Sequence, residues 1–414
     1  MANLLLLTCH RWPNPALLAR ALAREGFSVG VLGPWPHPAR LLKGLSFAAS
    51  YSHLGKATAL RRAVARWQPD LVIPCDDLAT AVLHEMYCGN EDPALTALIA
   101  RSVGGTAHAG EVLHKSRLVA FAAKLGIATP LTFTVTNEAA VAAALPLVGF
   151  PCVVKRDGSW GGAGVHQTAD AAATLDAFRA FSRPPGWAVT LRNALVQLDP
   201  DHLRHRFAFR PPGITVQQMV PGAAVNRAVL CWQGKVLDGL TIESLHSLPD
   251  CGPSSVVRRI EHAGIEEACA QLVAALGLSG FVGFDFMLDH AAGQAWLLEM
   301  NPRVTPAATL MAGQSGRAAA LLRQALAGAP PPVAAPSSAQ PELFVLFPQE
   351  LQRDPDSAWL HRPEHDVPWD EPRLVAFCIV HAGRMARQSV KRRRPIPPSA
   401  VTVPAATLGT AARP

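Results

Sequence analysis

From residue 2 to residue 89, short apolar runs alternate with stretches of helical periodicity, and few folds accommodate that order. "ANLLLLTC" (2–9) reads as a buried strand. It has no basic n-region and polar residues follow it directly, so it is not read as a secretion signal. "NPALLARALAREGF" (14–27) repeats apolar residues at helical spacing and stops at Gly26, and "SVGVLG" (28–33) is a second strand. "ALRRAVARW" is helical again, "DLVIPC" (70–75) is a buried strand with Asp76 and Asp77 at its carboxyl end, and "LATAVLHEMY" is the next helix. Strands joined through helices run parallel, with the helices covering the sheet.

Residues 1–108 are therefore read as a Rossmann-like α/β domain. No GxGxxG follows its first strand, which argues against a redox dinucleotide site. Past it the pattern becomes α+β. "EVLHKSRLVAFAAKLG" (111–126) reads as one helix closed by Gly126, and "LTFTV" as a strand. "FPCVVKRDGSWGGAGVHQTAD" is a strand, a Gly-rich loop and a strand, and "ITVQQMVPG" (214–222) a short strand ending in a turn. "AVLCWQGKVLDGLTI" is a hairpin around "QGK", and a helix, "EEACAQLVAALG", precedes the last strands. We divide the 414 residues into four parts: 1–108; 109–330; 331–383, a Pro/Ala-rich linker and a segment packing on the core; and 384–414, a basic tail expected to be disordered.

The formal net charge of +7 comes from that tail, which holds Arg384, Arg387, Lys391, Arg392, Arg393, Arg394 and Arg413 and no acid. No aromatic residues interleave with these charges, so a solvated tail is the reading rather than a nucleic-acid surface. Eight cysteines without a CxxC pair argue against a disulfide framework and a zinc site, and fit reduced thiols in a cytoplasm. No stretch approaches the roughly 20 apolar residues of a bilayer span, so no membrane partner is expected.

The chemistry lies in "GFVGFDFMLD" (280–289) and "AWLLEMNPRV" (295–304). Glu299, Asn301 and Arg303 share one strand parity, with Leu298 and Met300 on the other. The short connection makes a hairpin, and a turn centred on Ala292 puts Asp285 opposite Glu299. Two facing carboxylates about 5 Å apart need a proton or a cation, and Asn301 adds a neutral oxygen. An all-oxygen set favours Mg²⁺ held together with substrate phosphates. A loop with four glycines in seven residues (Gly158, Gly161, Gly162, Gly164) lets backbone N–H groups approach an anion, and Lys155 stands just before it. A solvated strand end and an empty Gly-rich hairpin are the bland alternatives; neither explains why the features occur together.

Lys115, "GIATP", "PCVVKRDGSWGGAGV", "VQQMVPG", "GFVGFDFMLD" and "LLEMNPR", in this order, resemble the ATP-grasp superfamily over residues 109–328, with similarity to its biotin carboxylase and D-alanine:D-alanine ligase branches. The resemblance implies a fold of two α+β subdomains clasping ATP behind the Rossmann-like domain. It implies that Lys115 and Lys155 contact the α- and β-phosphates, that loop 157–164 closes over the β- and γ-phosphates, and that the backbone of Gln218 and Val220 reads the adenine edge. Asp285, Glu299 and Asn301 would be Mg²⁺ ligands, with Mn²⁺ as an alternative. Arg303 would hold the transferring phosphate, and Arg258 or Arg259 would support an acyl phosphate. Where the family commonly has acids, this chain has Gln217 or Gln218 and then Ala223 and Ala224, which bears on ribose recognition.

The activity so implied joins a small-molecule carboxylate to an amine through an acyl phosphate, a carboxylate–amine ligase giving ADP and phosphate. Dimers are common in the family, so a homodimer is the expected assembly. Two alternatives stay open: a biotin-carboxylase-like use of bicarbonate, echoed in "DCGPSSVVRRIEH", and nucleotide binding without turnover.

Overall fold

The structure, a computed structural model, describes residues 1–51, 55–89, 92–158, 164–196, 203, 206, 207, 209, 211–249, 252–314, 316–329 and 342–392. Its N-terminal unit holds four parallel strands, β1 (Asn3–Leu7), β2 (Ser28–Pro34), β3 (Phe47–Tyr51) and β4 (Leu71–Pro74), in the order β3-β2-β1-β4. Helices α1 (Asn14–Arg24), α2 (Lys56–Trp67), α3 (Asp77–Gly89) and α4 (Pro93–Val103) connect and follow them. The order reverses between β1 and β4, and open sheets of this kind bind ligands outside the carboxyl ends of their strands at such a point. Asp76 holds that crevice together. Its Oδ2 accepts from the Cys9 N–H at 2.6 Å and the Thr8 hydroxyl at 2.9 Å, and its Oδ1 accepts from the Ala79 N–H at 2.9 Å.

The helix expected over 111–126 is two, α5 (Ala109–Leu113) and α6 (Lys115–Lys124). His114 between them is extended (φ −116°, ψ 110°), so Lys115 opens a helix instead of sitting inside one. A small antiparallel sheet follows: β5 (Thr132–Val135), β6 (Cys152–Arg156), β7 (Val165–Thr168) and β8 (Ile214–Gln218), ordered β5-β8-β6-β7. Helices α7 (Glu138–Val148) and α8 (Ala171–Phe181) cover one of its faces, where Cys152, Val154, Val216, Val141 and Phe178 form a core. Thr215, Gln217, Val153 and Lys155 have the opposite parity and share the other face.

The large antiparallel sheet runs β13-β12-β9-β10-β11-β14, from β9 (Ala223–Trp232), β10 (Lys235–Ser247), β11 (Ser254–Arg259), β12 (Gly280–Asp289), β13 (Gln294–Asn301) and β14 (Leu343–Val345). The β9–β10 turn is Gln233-Gly234, both at positive φ (48° and 77°), as a two-residue hairpin of this hand requires. One face packs Val225, Phe284, Phe286, Leu297 and Met300 against α6 and helix Ala263–Leu276. The other packs Ala228, Leu230, Ile242 and Val257 with residues of α1 and helix Pro306–Gln314.

Strand β14 makes the segment after the linker an edge of this sheet. The linker itself, 330–341, lies outside the described residues, as do residues 393–414. The boundary drawn at 384 is crossed by helix Pro372–Arg392, which buries Leu374, Val375, Cys378 and Ala382 at helical spacing, so the tail's first residues continue an ordered element. Among the described residues the cysteines are free, and no helix is long and apolar enough to cross a membrane.

Candidate active site

The β12–β13 hairpin pairs Asp285 with Glu299 by a route the sequence did not show. Near the turn the partners are Asp289↔Gln294, Leu288↔Ala295, Met287↔Trp296 and Phe286↔Leu297. Continued unchanged, that register would set Leu298 against Asp285 and drive Glu299 into the apolar face beside Phe284. A β-bulge between Asp285 and Phe286 absorbs one residue instead, giving Asp285↔Glu299, Phe284↔Met300 and Gly283↔Asn301. The strand thereby buries Leu297 and Met300 on one face and turns Glu299 and Asn301 to the other; Leu297, not Leu298, is Met300's partner in the core.

At about 5 Å and an effective dielectric near 20, two such charges repel by roughly 3 kcal/mol. Lys115 answers one of them, its Nζ lying 3.0 and 3.1 Å from the two Glu299 oxygens. Burial raises the Glu299 pKa, but Lys115 and then Lys155 outweigh it, so Glu299 stays ionised below the usual carboxylate range. Asp285 goes the other way: burial and then the Glu299 charge hold its pKa up. Lys115 loses affinity for its proton through burial and regains more from Glu299 and Asp77. Asp285 is met by the amides of Asn226 and Asn301 rather than by an ion-pair partner, and a divalent cation fits beside it. Among the described residues no group of three or more His, Cys, Asp or Glu side chains gathers to hold a metal, so two carboxylates completed by substrate phosphates are the donor set the chain offers.

Asn301 does not present the oxygen expected of it. Its Nδ2 donates to Asp285 Oδ2 at 2.7 Å and lies 3.5 Å from Glu299 Oε1, while its Oδ1 accepts from Arg303 Nη2 at 3.1 Å. The arginine can only donate, which fixes the amide this way round, and an amide nitrogen is not a Mg²⁺ ligand. As placed here, Asn301 orients the carboxylates. Arg303 is held in turn by Asp77, whose Oδ1 accepts from Nε at 2.8 Å, and Thr80 donates to the Pro302 carbonyl at 2.8 Å. The start of α3 therefore fixes the turn that follows Asn301, a link between distant segments that no local pattern shows.

Lys155, next to last in β6, is near enough to Glu299 for its charge to help lower that carboxyl's pKa, while Lys115 makes the direct contact. Asp157 braces the two: its Oδ2 accepts from the Ser116 hydroxyl at 2.8 Å and its Oδ1 from the Ser116 N–H at 3.3 Å, tying the glycine loop to the start of α6. Gly158 takes φ 70°, a conformation other residues avoid, and Gly164 is buried; Gly161 and Gly162 lie outside the described residues. Gln217 shares the Lys155 face but donates to the Thr132 hydroxyl at 2.9 Å. The Gln218 N–H donates to the Leu131 carbonyl at 2.8 Å, so any reading of a base edge through this residue falls to its carbonyl; Val220 is buried.

The arginine pair separates by parity. Partners across the sheet form one row, Glu299, Asp285, Asn226, Ile242 and Arg259, and directly opposed residues share a face. Arg259 therefore stands on the carboxylate face. Arg258 stands on the other, in the row of Glu243, Val225 and Phe286, where its Nη2 donates to Glu243 Oε2 at 2.6 Å beside His290. Of the two arginines left open above, Arg259 is the one that shares a face with the carboxylates. Asn226, Asp77 and Asp157 were not singled out for the site. Asn226 left one signal, a lone amide inside the apolar run of β9.

A parallel-sheet unit and two α+β units, all turned toward one carboxylate pair, define a clasp. Residues 204–307 match the family model described as the ATP-grasp domain. The chain is 22% identical over 302 residues to the carbamoyl phosphate synthase large chain of Gemmatimonas aurantiaca, covering 72% of this chain and 26% of that one; it thus spans about a quarter of that relative's length. Its fold resembles carboxyaminoimidazole ribonucleotide synthase from Aspergillus clavatus complexed with ATP (TM-score 0.56, 16% identity, 82% of this chain and 81% of that one). It also resembles an L-amino acid ligase from Bacillus licheniformis (TM-score 0.50, 15% identity, 79% and 74%). The family match is thus carried by residues 204–307, and the chain's fold is that of ATP-grasp proteins.

Proposed function

We propose that this protein is an ATP-dependent carboxylate–amine ligase working in the cytoplasm. The observation that carries the reading is Lys115 in contact with Glu299 and Lys155 near it, directly across from Asp285 and one turn from Arg303. Asp285 and Glu299 would hold Mg²⁺, which when bound neutralises charge on the nucleotide's phosphates. Lys115 and Lys155 bind the phosphate chain. A substrate carboxylate oxygen attacks the γ-phosphorus, the bond to the β-phosphate oxygen breaks, and ADP departs. Arg303 steadies the charge spread over the transferring group. The amine then adds to the acyl carbon, phosphate leaves, and the nitrogen loses its proton. No protein nucleophile is needed.

Arg259 lies three strands from Asp285, about 14 Å at roughly 4.8 Å per strand, too far for the nucleotide's inner phosphates and suited to the acyl end. Bicarbonate as the acid is the second reading, favoured by "DCGPSSVVRRIEH". Purified protein with ATP, Mg²⁺ and pools of carboxylates and amines, with and without bicarbonate, tests both. Phosphate release accompanied by a condensed product mass supports ligation; release that requires bicarbonate supports the second; nucleotide bound with no release in any pool contradicts both.

A further inference from the structure

Helix Pro372–Arg392 has two faces of different kinds. The inner one buries Leu374, Val375, Cys378 and Ala382. The outer side of a surface helix ordinarily carries charged and polar groups, because it meets only water. Here the exposed positions from 373 to 384 are Arg373, Ala376, Ile379, Val380 and Arg384, and Ile379 and Val380 are each 51% exposed. Phe377 and His381 join Ala376, Val380 and Arg384 along one shallow groove. The helix contains no acid and runs on through Arg387, Lys391 and Arg392. The acids just ahead of it are engaged elsewhere: Asp370 pairs with Arg20 and Arg24, and Glu371 is buried and accepts from the Lys43 N–H. Trp369, 67% exposed, stands beside the start of the helix.

We propose that the outer face of this helix is a docking surface for an anionic lipid bilayer. Cations and exposed aliphatic side chains on one helix face combine the two attractions that hold a protein at a bilayer, charge against the headgroups and apolar burial at their inner boundary. Arginine suits this place, since its stem can lie along the apolar boundary while its guanidinium stays among the headgroups. An exposed indole at the rim belongs at the same depth. A helix lying on a bilayer need not be long and apolar enough to cross one, so the absence of a crossing helix among the described residues is consistent with this surface. A second copy of the chain fits the face poorly. In a two-fold pair the patch would meet itself, setting Arg373 and Arg384 against cations with no free acid beside them. A nucleic acid would match the charge but leave Ile379 and Val380 without a role.

The test is flotation of the purified protein with phosphatidylcholine vesicles and with vesicles of equal parts phosphatidylcholine and phosphatidylglycerol, at low and high salt. Wild type, Arg373→Gln, Arg384→Gln and Val380→Ser are compared, with melting temperatures as the folding control. The wild type should bind the anionic vesicles at least about tenfold more tightly than the neutral ones, salt should weaken the binding, and each arginine variant should lose about fivefold. Val380→Ser should lose about threefold although its charge is unchanged. Equal binding to both kinds of vesicle, or binding to neither, overturns the proposal, and that comparison needs no variant. Wild-type affinity in Val380→Ser overturns it as well, because charge alone then accounts for the adhesion. A mixed-sequence single-stranded RNA bound as tightly as the anionic vesicles would likewise overturn it and assign the surface to nucleic acid.

Discussion

Arg258 and Arg259 are adjacent in sequence and serve opposite sides of the large sheet. Arg259 shares a row with Asp285 and Glu299; Arg258 pairs with buried Glu243 and is itself half exposed. Replacing Arg259 by alanine should lower kcat/KM about a hundredfold, the size of effect seen when one charge-stabilising donor is removed. Replacing Arg258 should change kcat/KM by about twofold at most, since a half-exposed ion pair contributes little. Steady-state kinetics of the two variants on the same carboxylate and amine check the assignment, and equal losses would refute the parity argument. A one-residue difference along a strand carries the whole contrast, and a single sequence gives the alternation without saying which parity faces the carboxylates.

At the scale of elements, the brace at Asp157 joins the glycine loop to the start of α6 and so holds the two lysines in register. Removing a cap of this type costs about 1 kcal/mol of stability. Asp157→Ala should lower the melting temperature slightly and weaken ADP binding severalfold, and calorimetry with ADP would show it. Unchanged binding would mean the loop and helix are positioned independently. Strands and hairpins were readable where alternation is strict, as in "GFVGFDFMLD". The break at His114 was not, because apolar spacing continues through it while the backbone does not. Strand β3, "FAASY", was missed because small and polar residues blur its period. The bulge beside Asp285 was invisible for another reason: it depends on which face each of two strands buries, a property of the pair and not of either run. The expected Asp285–Glu299 pairing is present, reached through an irregularity that keeps Glu299 out of the core.

At the scale of the whole molecule, the C-terminal segment ties back to both ends of the fold. β14 extends the large sheet, and Asp370 pairs with Arg20 and Arg24 of α1. Asp366 anchors this segment by accepting from the Phe347 N–H at 2.5 Å, and burial pushes its pKa up to about 7. A carboxyl whose folded pKa is raised binds its proton more tightly when folded, so it opposes folding once the unfolded chain ionises. Stability should therefore fall as pH rises from about 4 to about 7 and then level off. Asp366→Asn keeps an acceptor for the Phe347 N–H and removes the charge. Its melting temperature should vary less across that window and exceed the wild type's at the alkaline end; an unchanged slope would place the titration elsewhere. Composition had assigned everything after residue 384 to a tail, yet the amphipathic spacing of Leu374, Val375, Cys378 and Ala382 carries the helix on to Arg392. Charge counting hid a pattern that periodicity would have shown.

The central claim is that Asp285 and Glu299 together hold a divalent cation under a bound nucleotide. Calorimetric titration of ADP into the wild type and Glu299→Gln, each with and without Mg²⁺, tests it directly. The account predicts ADP uptake by the wild type that strengthens at least about tenfold on adding Mg²⁺, and a variant in which that strengthening is lost. Equal ADP affinity with and without Mg²⁺ in the wild type, or a Mg²⁺ effect that survives in Glu299→Gln, would contradict it.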